Sequence, residues 1–486
     1  MLDKEFPAAL WHSDSNGDFE DVGVVGMASF DSKRGVLLNI PVGSIPSNGS
    51  ETLVFNGTRT FERLYGFAQD NSHLTLIDAS GFASSSCPGT ARESWTASIA
   101  LVSDSDFFES DPLVNSAIVK IDGLYEWFAQ NPVNYIRRFE NDNRFVSAAI
   151  SVDADSLKEI LISKNEHVEI CLKPSAALSG GEKPLRHQSI ESDCCLLFRF
   201  ENSMPTSEDA IEDYIVPFRD FLSLFMGFRA EILTISFSSA EKKGKFDVFI
   251  PFVEAKHVTL NKSDFKNMPF TFPTLMNDIQ GMYDKWLELP DDGRRAANIM
   301  LGILSNERSL YLDLNMIAAA SAFEALSRID NRTYELDEAT FNHRLEVVKD
   351  SISDSKTRNW ALRHLEKSNF QMAGNLASTM LDKLEPLSSY IAPDIQSFKA
   401  NHRNTRNAYI HQNDHIGNDD ILSGRNLYAH TEAVILLNWG KLLCLLGLSP
   451  KEIVSALKRS KYKQSSLSNT QDFYSLKNTE TEHGDN

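Results

Sequence analysis

The sequence predicts an α+β protein: a β-rich amino-terminal region, sandwich-like or barrel-like, followed by an all-helical bundle. Three observations lead there. Up to about residue 260, apolar residues fall in short runs rich in aromatic and β-branched side chains, separated by Gly, Ser, Asn and Asp. After about Phe270 those runs stop, and apolar residues recur at the three- and four-residue spacing of helix faces. From Lys458 the chain turns polar and rich in Ser, Asn and Thr, the composition of an unstructured tail. The expected division is 1–265, as one β-rich domain or two subdomains, then 266–457 helical and 458–486 disordered.

The elements follow in order. Val24 to Phe30 and Gly35 to Ile40 flank Asp31-Ser-Lys-Arg and predict a hairpin. Thr52 to Phe55, Leu64 to Phe67, His73 to Ile77 and Trp95 to Val102 predict further short strands, at the spacing of an antiparallel sandwich or barrel. Phe145 to Val152, His167 to Leu172 and Cys194 to Phe200 continue the pattern, with Pro174 to Asp193 expected as a loop. Ser207 to Met226 predicts a helix that Pro217 should kink or split, because proline lacks the N–H a helix interior needs. Ile232 to Phe237 and Phe246 to Phe252 predict a closing strand pair.

Helical patterning then covers Thr274 to Leu287, Arg294 to Ser305, Tyr311 to Ile329, Phe341 to Ser351, Asn375 to Leu384, Ile395 to Ile410 and Gly424 to Leu446. The stretch from Met316 to Leu326 is apolar nearly all round, Glu324 excepted, which predicts a buried central helix.

A net charge of −19 argues against a broad nucleic-acid coat, because non-specific phosphate binding needs many cations. It leaves room for a small basic site. Five scattered cysteines, with no Cys-x-x-Cys pair, point to reduced thiols in a cytoplasmic protein. The first residues carry no signal pattern. The longest apolar stretch, Ala433 to Leu446, is broken by Asn438 and Lys441 and is too short to span a bilayer, so no membrane partner is expected.

One stretch stands apart. Lys399 to His411 holds Lys399, Arg403 and Arg406 and no acid. On one helix His402 and Arg406 share a face, four residues apart. Arg406 and His411 are separated by about 140° and roughly 7.5 Å along the axis. Their side chains therefore do not converge within one straight helix, and two copies about a two-fold axis would bring helix ends together. Such an arrangement suits RNA cleavage without metal. The ribose 2′-OH attacks the adjacent phosphate, and imidazole, with an unperturbed pKa of about 6.5, serves as base or acid. A guanidinium donates to the charge developing on phosphorus. No spacing matches a standard metal site, a Walker loop, a Rossmann fingerprint or a nucleophile elbow, so no metal and no cofactor is expected.

Arg406-Asn407-Ala-Tyr-Ile-His411 resembles the R-x4-6-H motif of HEPN-domain ribonucleases, including the polar residue after the Arg. The helical half is similar to the HEPN domain of ApeA-type anti-phage proteins. The first half, with Gly-x-x-x-Phe-Asp at Gly26 to Asp31, resembles their amino-terminal domain. The resemblance implies an endoribonuclease, a homodimer or dimer of dimers, that arrests growth of infected cells by cutting host or phage RNA. Transfer RNA is the substrate the family's habits point to, and a phage-derived trigger its activator. It also implies that Arg406 and His411 are the catalytic pair, with Asn407 positioning phosphate or a side chain and Glu324 as an acid from an earlier helix. Arg403, His402 and Lys399 are the expected RNA contacts. The alternative is a non-catalytic dimerisation or RNA-binding module, whose β-rich domain recognises a phage component.

Overall fold

The computed structural model describes residues 3–6, 9–16, 19, 23–31, 35–46, 52–54, 58–87, 90–139, 145–179, 189–202, 204–241, 244–250, 268–306, 311–329, 336–365, 369, 373–411, 421–461 and 463–481. The chain divides into two compact units: Met1–Phe265 with Phe270–Tyr283, and Lys266–Pro269 with Asp284–Asn486.

The first unit opens with β1 (Lys4–Glu5), β2 (Ala9–His12), β3 (Val24–Asp31), β4 (Gly35–Ile40), β5 (Thr52–Val54), β6 (Thr58–Ala68), β7 (His73–Cys87), β8 (Thr90–Ala97) and β9 (Ile99–Ser103). Strands β2, β3, β4, β8, β7 and β6 pair antiparallel in a ring, so they close a six-stranded barrel. The closure rests on the length of β7. Along one edge it pairs with β6 from His73 to Phe82, and along the other it meets β9 first and β8 later. Trp11 and Trp95 fill the interior. Glycine makes room for both: a Cβ on Gly66 would lie 2.7 Å from Trp11, and one on Gly81 would lie 2.4 Å from Trp95.

A buried carboxylate ties the barrel's sequence-distant parts together. Glu93 accepts from Arg59 Nη1 at 2.6 Å, the Ser44 hydroxyl at 2.5 Å, the Ile45 N–H at 3.1 Å and Trp95 Nε1 at 3.1 Å. Burial of a charge is tolerated where its lone pairs are satisfied in this way.

Beyond β9 the sheet opens. After β10 (Val114–Ile121) come α1 (Leu124–Phe128), β11 (Val133–Phe139), β12 (Phe145–Val152), β13 (Ile160–Lys164), β14 (Val168–Ser179) and β15 (Ser189–Phe200). Then follow α2 (Ser207–Ala210), α3 (Val216–Met226), β16 (Ile232–Ser239) and β17 (Lys245–Phe249). The sheet runs β9-β17-β16-β10-β15-β14-β13, and β11 and β12 form a separate hairpin. Ile211–Ile215, between α2 and α3, is a π-helical turn, so the chain loosens one turn before Pro217 and then continues. Pro217 was expected to kink or split this helix; the backbone stays helical through it, with the preceding turn widened to the π form. The loop expected over Pro174 to Asp193 is shorter than its polarity implied: β14 and β15 stay paired to Ser179 and Ser189, and 180–188 lie outside the described residues.

Helices α4 (Phe272–Leu275) and α5 (Ile279–Leu287) lead into the second unit. It holds α6 (Asp291–Asn306), α7 (Leu312–Arg328), α8 (Glu338–Ser351), α9 (Ser355–Leu365), α10 (Ala373–Lys383) and α11 (Leu387–Ile391). Next come α12 (Ile395–His411), α13 (Gly424–Leu445), α14 (Pro450–Arg459) and α15 (Gln464–Thr481). The core lies between α7 and α13. From Ala433 to Leu443 every residue of α13 is buried, and Asn438 Nδ2 donates to the Ala319 carbonyl of α7 at 2.8 Å. No described helix is long and apolar enough to cross a membrane.

The disordered tail expected from 458 is corrected. α14 runs on to Arg459, and 464–481 form a helix whose Leu467, Thr470 and Tyr474 are buried, Phe473 packing against the Met316 and Leu427 cluster. Its polar composition masked an inward stripe at three- and four-residue spacing.

Candidate active site

Helix α12 begins where Asp394 accepts the N–H of Ser397 at 3.0 Å, a side-chain cap. Phe398, Asn401 and Thr405 then turn inward at helical spacing, which leaves Arg403 exposed and Lys399 and Arg406 half-buried. The helix thus faces α7 with one stripe and presents cations beside it.

Arg406 Nη2 donates to Glu324 Oε2 at 2.6 Å, across from α12 to α7. Arg328, one turn beyond Glu324 on α7, donates to Oε1 at 2.6 Å. One carboxylate therefore serves two guanidinia, whose forked donors have the geometry that recognises phosphate. Arg406 Nη1 also donates to Asn407 Oδ1 at 3.0 Å, which fixes the plane of the fork. Glu324, Arg406 and Asn407, named separately in the sequence, are thus one hydrogen-bonded group.

His402 sits differently from its expected place with the RNA-facing cations. Its ring packs against Phe323 at 4.6 Å, His430 at 5.6 Å and Phe398 at 5.9 Å, lying nearly parallel to the last. Burial first, and then the adjacent Arg406 charge, push its pKa down to about 4, against a smaller opposing pull from Glu324. Its Nδ1 is buried with no hydrogen-bond partner among the described residues. His402 is therefore a neutral aromatic filler under Arg406. Behind it, His430 Nδ1 and the Tyr474 hydroxyl lie 2.5 Å apart, so α15 reaches the aromatic layer beneath the cations. Burial raises the Tyr474 pKa, which keeps its hydroxyl protonated.

Among the described residues Arg403 reaches Asn404, at 3.4 Å, and is exposed, while Lys399, one turn earlier, is half-buried. His411 is the last residue of α12, and its side chain lies outside the described residues. Arg328 and Tyr474 were not singled out in the sequence. The four-residue step from Glu324 to Arg328 was a usable signal for the first. No local pattern announces the pairing of His430 with Tyr474, 44 residues away.

Comparison with known families gives two matches. The family described as ApeA N-terminal domain 1 matches residues 9–286, more than half the chain, and the family described as Apea-like HEPN matches residues 317–452. No curated protein and no solved structure matches. The second match covers α7 from Ile317 onward, with Glu324, and all of α12, with Arg406 and His411. HEPN domains are in general ribonucleases that dimerise and act on RNA, and at family level this one belongs to an anti-phage nuclease. The chain is a member of the ApeA family, with an ApeA amino-terminal domain followed by an Apea-like HEPN domain.

Proposed function

We propose that this protein is a metal-independent HEPN endoribonuclease of bacterial anti-phage defence, cleaving RNA by 2′-OH attack at a composite dimer site and arresting growth of the infected cell. The observation that carries the reading is the Glu324 carboxylate shared between Arg406 and Arg328. It orients the Arg406 guanidinium and holds a second one beside it. A scissile phosphate seated beside this group would take charge-assisted hydrogen bonds from the guanidinia as negative charge accumulates on its oxygens in the phosphorane.

His411 supplies the proton chemistry in this reading. One imidazole removes the 2′-OH proton, and a second protonates the departing 5′-oxygen. One motif histidine per chain makes that pair only when two protomers meet. Asn407 holds the guanidinium plane, and Lys399 and Arg403 steer the RNA backbone over the exposed side of α12. The β-rich unit carries the recognition of a phage-derived trigger, and transfer RNA is the first substrate to try.

The test is cleavage of end-labelled RNA by the full-length chain and by Arg406→Ala and His411→Ala. Both variants should lose cleavage and toxicity while retaining their circular dichroism spectra. Cleavage that survives either substitution, or disappears with EDTA, contradicts the proposal. RNA binding without cleavage by the parent chain favours the non-catalytic module.

A further inference from the structure

Helices α8 and α9 bury no residue, and among the helices they pack chiefly on each other. The base of this hairpin is clamped. The Leu336 N–H donates to Asn369 Oδ1 at 2.8 Å, and Asn369 Nδ2 donates back to the Leu336 carbonyl at 2.9 Å. Each helix is capped by an aspartate: Asp337 accepts from the Thr340 N–H at 2.9 Å, and Asp354 from the Thr357 N–H at 2.7 Å. The hairpin is thus a defined arm that adds nothing to the buried core.

Its outer face has a specific composition. Helix α9, Ser355–Leu365, carries Lys356, Arg358, Arg363 and His364 and no acid, in a chain of net charge −19. At about 100° per residue, Lys356, Asn359, Trp360, Arg363 and His364 fall on one side, and Ala361, Leu362 and Leu365 on the other. The first group is exposed throughout, and Trp360 is 60% exposed. Its ring packs on His364 with centroids 4.9 Å apart, which holds it outward. Lys356 and Arg363 make no ion pair among the described residues. The other five tryptophans are buried.

Cations flanking an exposed aromatic ring, on a helix that carries no acid of its own, are the chemistry that holds single-stranded nucleic acid: the ring stacks on an unpaired base and the cations take the phosphates. We infer that the outer face of α9 is a binding site for single-stranded RNA, with a base stacked on Trp360 and phosphates on Lys356 and Arg363. The inference deepens the nuclease reading and rests on it: the arm holds unpaired substrate RNA while the Arg406 site cuts. A duplex offers no free base face, so it binds this arm more weakly.

The experiment uses the full-length chain carrying His411→Ala, so that RNA is not consumed, and a fluorescein-labelled oligouridylate of about twenty nucleotides. Anisotropy gives the affinity, and quenching of the one exposed tryptophan reports stacking. Trp360→Ala should weaken binding about tenfold or more and abolish the quenching, while Trp360→Phe restores most of the affinity. Lys356→Gln with Arg363→Gln should flatten the salt dependence by about 1.4 in log–log slope, from about 0.7 per phosphate contact on a single strand. Unchanged affinity and slope in all three variants overturn the inference and leave the nuclease reading standing if the parent still cuts RNA. A parent chain that binds no RNA overturns both. Equal binding of oligouridylate and of its duplex with oligoadenylate, unaffected by Trp360→Ala, also overturns stacking on this helix.

Discussion

Arg406 Nη2 and Glu324 Oε2 lie 2.6 Å apart, joining two helices through residues 82 positions apart in sequence. The pair sets the direction of the one guanidinium in the motif, and Glu324 is held in turn by Arg328. The order of dependence among these three residues has measurable consequences.

Glu324→Gln should lower single-turnover RNA cleavage by about tenfold or more, or about 1.4 kcal/mol of transition-state stabilisation. The amide has the carboxylate's shape but leaves two guanidinia facing each other without a shared anion. Arg328→Ala should cost less than about threefold, because Arg328 is the more exposed of the two cations and Glu324 keeps Arg406. Rate constants at saturating enzyme check both.

Arg406→Lys should behave like Arg406→Ala rather than like the parent. An ammonium keeps the charge but cannot hold Glu324 and Asn407 with two nitrogens of a rigid plane. The cleavage assay on the three proteins decides it.

His402 and His411 should separate cleanly. His402→Phe replaces a buried neutral ring by another and should leave cleavage within about threefold, whereas His411→Ala abolishes it. The same variant has a pH signature. The folded pKa of His402 lies at about 4, below the ordinary 6.5, first because of burial. Its contribution to stability is therefore full above about pH 6.5 and is lost as pH falls toward 4, since the unfolded chain takes up the proton first. The parent should lose stability between pH 6.5 and 4, on the order of 3 kcal/mol from this group, and His402→Phe should lose correspondingly less. Urea unfolding of the helical unit's signal at both pH values measures the difference.

Tyr474→Phe should destabilise the helical unit by about 1–3 kcal/mol, since it removes the hydroxyl facing buried His430 Nδ1. Deleting residues from 464 onward should cost more, because Phe473 leaves the Met316 and Leu427 cluster. Urea midpoints report both, and an unchanged midpoint in the deletion would show that α15 is not part of the folded core.

Particular residues explain what the sequence made legible. The hairpin of Val24 to Ile40 showed itself through two short apolar runs flanking a polar segment, both local signals. Barrel closure did not, because it depends on which partner β7 takes along each edge, and the Ser-rich end of β7 hides its length. Glu324 stood out as the single acid of the apolar stretch Met316 to Leu326, a position that demands a partner. Which partner it takes is tertiary information, and so is the inward turn of His402. The last helix was missed because Leu467, Thr470 and Tyr474 are few among Ser, Asn and Thr, although their spacing is helical.

The most direct test of the nuclease account is the chemistry of the RNA ends. RNA cut by the parent chain in EDTA should carry 2′,3′-cyclic phosphate and 5′-hydroxyl ends by mass spectrometry. The same strand with a 2′-O-methyl group at the cleavage site should stay intact there. Fragments ending in 3′-hydroxyl and 5′-phosphate, or cutting of the methylated strand at the same position, would contradict attack by the ribose 2′-OH.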